Sequence, residues 1–308
     1  MSGSSRRTVV VAFISNLGIV IVKLAAFLIT GSASLFSEVL HSTADTTNQG
    51  LLMVGLERSK RKGDAQHPFG YATERYLVAF VVAIVLFGLG CLASLYEGIT
   101  KLVHPHPVGS PLVGLAVLVA SLFLEGLSFR NAKGEAAHDQ RANESIFKFA
   151  HRTKVAEIPL VLFEDLGAIA GLLIALIGLG ASAITGNDRF DAAGSLLIGI
   201  LLGAISIFLG LEVRSLLIGE SADPLVEEAI RVAVLESDHI RRVIYLMTMH
   251  LGPTDLLVAI KVAFDGDLAF STVADEIDLA EVRLRAVVPF ARLVFVEPDI
   301  WRENQDNK

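Results

Sequence analysis

Ser34-Leu35-Phe36-Ser37-Glu38-Val39-Leu40-His41-Ser42-Thr43-Ala44-Asp45 opens a run that continues through Asn48 to Leu56, and its reading decides the fold. A bilayer core of ~30 Å takes roughly 20 apolar residues as a helix, which the stretch Leu35 to Leu56 can supply. Within it, Glu38, His41, Asp45 and Asn48 follow at i, i+3, i+7 and i+10, so a helix carries all four on one face. Ionisable groups at membrane depth cost several kcal/mol unless paired, hydrated or ligated, which makes them functional candidates. A membrane helix with such a face needs other helices to enclose it.

The rest of the chain supplies them. Of 308 residues, 53% are apolar and 19% charged, and the mean hydropathy is +0.58. A soluble chain would carry nearer ~25% charged residues. Six segments are long and apolar enough, or nearly so, to span: about Val9 to Thr30, Leu35 to Leu56, Tyr76 to Leu102, Pro111 to Phe129, Glu157 to Thr185 and Phe190 to Leu211. The pattern predicts six transmembrane helices with both ends on one side. Arg58, Lys60, Arg61 and Lys62 follow the second segment, and Arg130, Lys133, Arg141, Lys148, Arg152 and Lys154 follow the fourth. Opposite connections offer Lys101 and Arg189, so the positive-inside rule places both termini in the cytoplasm. Met1 to Arg7 lacks a cleavage site, and the first segment reads as a retained helix. The lack of a long Arg-rich transit segment favours a bacterial inner membrane over an organelle. Cys91 is the single cysteine, which excludes a disulfide framework and a thiolate cluster.

Composition changes near Ser215. From there to the end 9 Lys and Arg face 17 Asp and Glu, against 17 and 16 before it. That acidity argues against a nucleic-acid partner, which needs a basic stripe. Helix signals over Pro224 to Glu236, strand signals over Arg242 to Leu251 and Leu256 to Phe264, a helix capped by Ser271 and running to about Val287, and a strand over Arg292 to Val296 predict an αββαβ domain with helices on one sheet face. The expected organisation is a six-helix membrane domain over 1–214 and a soluble α+β cytoplasmic domain over 215–308.

His41 and Asp45, four residues apart, can turn an imidazole nitrogen and a carboxylate oxygen toward one ion, a set suited to zinc with manganese, iron, cobalt or nickel as alternatives. Equally, the two can form a satisfied hydrogen-bonding pair between helices. Glu164 and Asp165 shift the balance. They interrupt the apolar Pro159-Leu160-Val161-Leu162-Phe163, where two adjacent carboxylates need a cation or a proton. Asn16 and Glu125 either line the same cavity or make packing hydrogen bonds, and Lys23 either snorkels or neutralises a carboxylate. Gly88 and Gly90 read as close helix packing.

The stretch Ser34 to Asp45 resembles the second-helix signature of the cation diffusion facilitator family, proton-coupled efflux carriers of the zinc-transporter type. Asp64-Ala65-Gln66-His67-Pro68-Phe69-Gly70-Tyr71 resembles the cytoplasmic loop that follows it, and Asp191-Ala192-Ala193-Gly194-Ser195 the entry to the sixth helix. The resemblance covers essentially the whole chain and implies a ferredoxin-like cytoplasmic domain and a homodimer. It implies a transport site of His41 and Asp45 with Asp165. The family's fifth-helix His position holds Val161, and Glu164, offset from it by only ~60° around the helix, is positioned to fill the vacancy. The Glu164-Asp165 pair, Asn48-Gln49 and Glu57-Arg58-Ser59-Lys60 resemble a divergent branch that includes a mitochondrial zinc carrier. At the family's loop site Asp64 and His67 match, while Tyr71 stands where a second His is expected. In the soluble domain Ile260 takes a His position and Glu297 alone remains, which predicts no binuclear cluster. His239 and His250 read as surface or dimer residues, and His104 and His106 as solvated.

No phosphate-binding Gly-rich loop is present, so the expected energy source is a gradient. The expectation is a metal efflux antiporter and not an enzyme, most consistent with Zn2+ as substrate and holding no permanent cofactor. Its partners are protons, the bilayer and a second copy. The alternatives are a Mn2+, Fe2+, Co2+ or Ni2+ carrier of the same family, or a non-transporting partner subunit.

Overall fold

The structure, a computed structural model, describes residues 3–105, 107–139, 141 and 144–300, with the side chains of 3–16, 86, 87, 131, 132, 135, 136, 138 and 139 outside that description. The chain divides into two units, residues 1–59 with 74–214, and residues 60–73 with 215–308.

In the first unit, α1 (Gly3–Thr30) and α2 (Ala33–Ser59) are joined by two residues. Gly31 adopts φ 62°, the left-handed region that a residue without Cβ enters freely, and its N–H closes α1 on Phe27 O at 2.7 Å. The turn folds α2 back along α1. Next come α3 (Glu74–Val85), a π-helical turn (Leu86–Leu92) and α4 (Ala93–Val103), which replace the single uninterrupted third segment the sequence predicts. Then follow α5 (Pro111–Asp139), the short α6 (Ile146–Arg152), α7 (Glu157–Thr185) and α8 (Arg189–Ile218). Among the described residues, four stretches, 74–103, 111–130, 157–185 and 189–218, have the length and apolarity to cross a bilayer. Helix α2 falls short on composition because it carries the polar face, and α1 has described side chains only from Leu17 on. Gly90 packs against Leu202 of α8, but nothing lies within 4 Å of where a Gly88 side chain would start, so only one of the pair serves close packing.

Lys101 corrects the sequence reading. It lies in the last turn of α4 with no exposure at all, not in a solvated connection. Its Nζ donates to Asp191 Oδ2 at 3.0 Å and to Gly31 O at 2.8 Å. Asp191, equally buried in the first turn of α8, accepts from Ser32 Oγ at 2.7 Å, Ala33 N at 2.6 Å and Ser34 N at 3.3 Å. The first N–H groups of a helix have no partner within it, and an anion there is favoured by the helix dipole. A carboxylate from another helix thus caps α2, and Lys101 balances its charge. With Lys101 removed from the solvated cations of its side, the charge asymmetry between the two sets of connections becomes steeper.

The second unit holds α9 (Pro224–Leu235), β1 (Ile240–Gly252), β2 (Asp255–Phe264), α10 (Phe270–Val287) and β3 (Ala291–Ile300), the αββαβ order expected. The sheet order is β1-β2-β3, with β1 antiparallel and β3 parallel to the central β2. Alternate residues Leu256, Val258, Ile260 and Val262 of β2 are buried against Ile230 and Val234 of α9 and Ala280 and Leu284 of α10. This is period-two burial on one sheet face. Helix α10 starts one residue before Ser271, with Ala269 as a cap that supplies no side-chain bond. His250 is 7% exposed, with its ring stacked on Phe290, so it belongs to the domain interior and not its surface.

Candidate metal-transport site

Helices α1, α2, α7 and α5 pack in a closed circuit, each against the next. The polar face of α2 points into it, which is why Glu38, His41 and Asn48 are 0 to 1% exposed on a helix that lacks the apolarity of its neighbours. Lys23 of α1 resolves one open question. Fully buried, its Nζ donates to Ser42 Oγ at 2.7 Å and pairs with Glu38 Oε2 at 3.3 Å, so it neutralises a carboxylate and does not snorkel. The other Glu38 oxygen has no partner and lies where Gly171 leaves room: a Cβ there would approach it to 2.7 Å.

His41 Nε2 faces Asp45 Oδ2 at 3.6 Å, one turn along the helix and longer than a hydrogen bond. Neither imidazole nitrogen has a hydrogen-bond partner, and Asp45 Oδ1 is likewise buried and unpaired. Of the adjacent acids on α7, Glu164 is 6% exposed and its Oε1 accepts from Asn48 Nδ2 at 2.6 Å, while Asp165 Oδ2 accepts from Ser128 Oγ of α5 at 3.1 Å. Asp45, Glu125, Asp165, Ser42, Gln49 and Ser128, with Ile19 and Leu124, line a cavity of about 60 Å³. Successive residues on a helix point about 100° apart, so Glu164 and Asp165 cannot both face one point. Asp165 turns to the cavity and Glu164 to Asn48.

Among the described residues no three His, Cys, Asp or Glu side chains are already drawn together at ligating distance. The side chain of Asn16, expected as a cavity liner, lies outside the described residues, as does His106. Ser128 was not singled out by the sequence, and Gln49 entered only through a motif resemblance, not as a cavity residue. An i, i+3 spacing from Glu125 to Ser128 was the available signal for the first.

In the second unit, Asp64 and His67 sit in the loop 60–73, with Asp64 Oδ1 accepting from His67 N at 2.8 Å and Oδ2 from Tyr71 Oη at 2.6 Å. These bonds hold the Asp64 carboxyl down at about 2, below the usual carboxylate range. Tyr71, standing where a second His is expected, donates to the Asp64 carboxylate. On the sheet, Glu297 accepts from Lys261 Nζ at 2.8 Å and Tyr245 Oη at 2.6 Å, which lowers its pKa and raises that of Tyr245. Ile260, 1% exposed, is a core residue.

Residues 9–218 match the cation efflux transmembrane domain family. The chain belongs to that family. Its members are carriers and not enzymes, and the chain is a multi-pass integral membrane protein. It is 35% identical over 292 residues to the mitochondrial proton-coupled zinc antiporter SLC30A9 of Xenopus laevis, covering 93% of this chain and 52% of that one. It is 35% identical over 224 residues to metal tolerance protein C4 of Arabidopsis thaliana, covering 71% of this chain and 48% of that one. Against the manganese efflux system protein MneP of Bacillus subtilis, identity is 25% over 271 residues, 86% of this chain and 85% of that one. The chain spans about half the length of the Xenopus and Arabidopsis relatives. All the cavity-lining residues fall within the family's own domain.

Proposed function

We propose that the chain is a proton-coupled efflux antiporter for a divalent metal ion, with Zn2+ as its foremost substrate. The observation that carries this reading is the unpaired His41 imidazole facing Asp45 on the wall of a small acidic cavity inside an apolar helix circuit. Burying unpartnered polar atoms costs free energy, which a bound cation would offset. His41, Asp45 and Asp165 form the core of the proposed site, completed by one further carboxylate. Each must be deprotonated to ligate, so protons and metal compete for the same atoms. An imidazole ordinarily titrates near ~6.5, which suits it to exchange a metal for a proton at physiological pH.

In this reading residues 1–214 carry transport and 215–308 form the soluble domain. Both termini lie on the face that supplies the metal, the cytoplasm if the membrane is a bacterial inner one. Met247 and Phe295, 59% and 53% exposed on the sheet face away from the helices, support pairing with a second copy through that domain. The names of the relatives support zinc first and manganese second.

The test is metal flux into liposomes containing the purified chain, with and without an imposed pH gradient, for Zn2+, Mn2+, Fe2+, Co2+ and Ni2+. Gradient-driven Zn2+ uptake is expected. No flux of any of the five ions would turn the reading toward a non-transporting partner subunit.

A further inference from the structure

The transport reading leaves its site one ligand short. His41 and Asp45 come from α2 and Asp165 from α7, but the α7 position one turn before Asp165 holds Val161, which offers no donor. Glu38 is paired with Lys23, and of Glu125 and Glu164 the latter is engaged elsewhere. It accepts the 2.6 Å bond from Asn48, and it is absent from the cavity wall. A short buried bond between α2 and α7 is helix glue.

Glu125 is placed differently. It stands on the cavity wall with Asp45 and Asp165, on a third helix, α5. Ser128, one turn further along the same face, holds Asp165 Oδ2 at 3.1 Å and thereby ties the α5 face to the α7 carboxylate. Independently, His41 behind this wall is a buried polar group left unpartnered, which a bound cation would satisfy. It is 1% exposed, neither ring nitrogen has a hydrogen-bond partner, and Nε2 is turned toward Asp45 on the wall.

Resting on the transport reading, we infer that Glu125 of α5, and not Glu164, is the fourth ligand of the transported ion, beside His41, Asp45 and Asp165. One nitrogen and three carboxylate oxygens suit Zn2+ and also accept a harder ion such as Mn2+. The ion draws the four side chains onto one point, and binding couples α5 to α2 and α7, so the movement that releases the ion must separate three helices. Ser128 is a positioning residue that fixes the Asp165 carboxylate.

Co2+ reports the ligand directly, using the full chain in detergent micelles. A Glu125→Cys protein loaded with Co2+ should gain a thiolate-to-metal charge-transfer band in the near ultraviolet, absent from the parent chain, whose Cys91 is buried away from the cavity. Glu164→Cys should give none. Glu125→Gln should weaken Co2+ and Zn2+ binding by more than ~10-fold, the least expected for a direct ligand given what outer-shell losses cost. A band from Glu164→Cys, or none from Glu125→Cys where Asp165→Cys gives one, would overturn the assignment while leaving the carrier reading in place. Undiminished Co2+ binding by Asp45→Asn would instead remove that reading itself. If Glu125→Cys aggregates, Glu125→Asp decides, because a ligand shortened by one methylene loses affinity and a bystander does not.

Discussion

Lys101 Nζ lies 3.0 Å from Asp191 Oδ2, both side chains fully enclosed, and the same carboxylate caps the first turn of α2. This pairing fixes the start of the helix that carries the polar face. Removing one partner of a buried ion pair leaves an uncompensated charge. Lys101→Met is therefore expected to destabilise the membrane domain by ~3 kcal/mol, read from thermal or detergent unfolding. Asp191→Leu should cost more than Lys101→Met because it also uncaps α2. Equal melting temperatures for Lys101→Met and the parent would show that the pair contributes no net stability.

Lys23 and Glu38 are expected to behave as a coupled unit. Lys23→Met alone leaves Glu38 buried and unpaired, and Glu38→Leu alone leaves the cation so. The double variant should be more stable than the sum of the single losses predicts, by ~1 kcal/mol or more. Additive effects in a double-mutant cycle would mean that the two side chains do not stabilise each other.

At the core of the site, His41→Ala and Asp45→Ala are each expected to abolish pH-gradient-driven Zn2+ uptake while the protein elutes and melts like its parent. Both side chains face the interior of the helix circuit, and the two His41 ring nitrogens and Asp45 Oδ1 are already without hydrogen-bond partners. Their loss removes ligands without breaking a bond. Unimpaired uptake in either variant would place the ion elsewhere.

Asp64 gives a pH prediction outside the membrane. Its folded-state pKa, about 2, lies below the ordinary carboxylate value, so the loop's hydrogen bonds contribute stability that is present above the unfolded pKa and lost as pH falls toward 2. Tyr71→Phe removes the Tyr71 hydroxyl, the largest cause of the depression, and should raise the Asp64 pKa toward ~3.9, measured by carboxyl NMR titration. A pKa unmoved by that change would assign the depression to the backbone N–H bonds instead.

In the second unit, Ile260→Ala is expected to cost ~2 to 5 kcal/mol, since the side chain is 1% exposed in a core made by one face of β2 and two helices. Chemical denaturation of the chain monitors it. A loss under ~1 kcal/mol would mean that the core collapses around the gap.

Much of this was present in the linear order of residues. Periodicity marked Glu38, His41, Asp45 and Asn48 as one face, because helical geometry is local and 3.6 residues per turn decides who stands beside whom. Alternation over Leu256 to Phe264 marked β2 for the same reason. Charge asymmetry between connections was also a property of the chain alone, although it counted Lys101 wrongly. What residues on different helices do to one another was not there to be read. That Lys101 turns inward to Asp191, that Asn48 occupies Glu164, and that Glu125 rather than its α7 rival shares a wall with Asp45 and Asp165 all depend on contacts between residues from 40 to 116 positions apart. Such contacts follow from how the helices are rotated about their axes. That rotation is set by the packing of whole faces against each other, which no single segment contains.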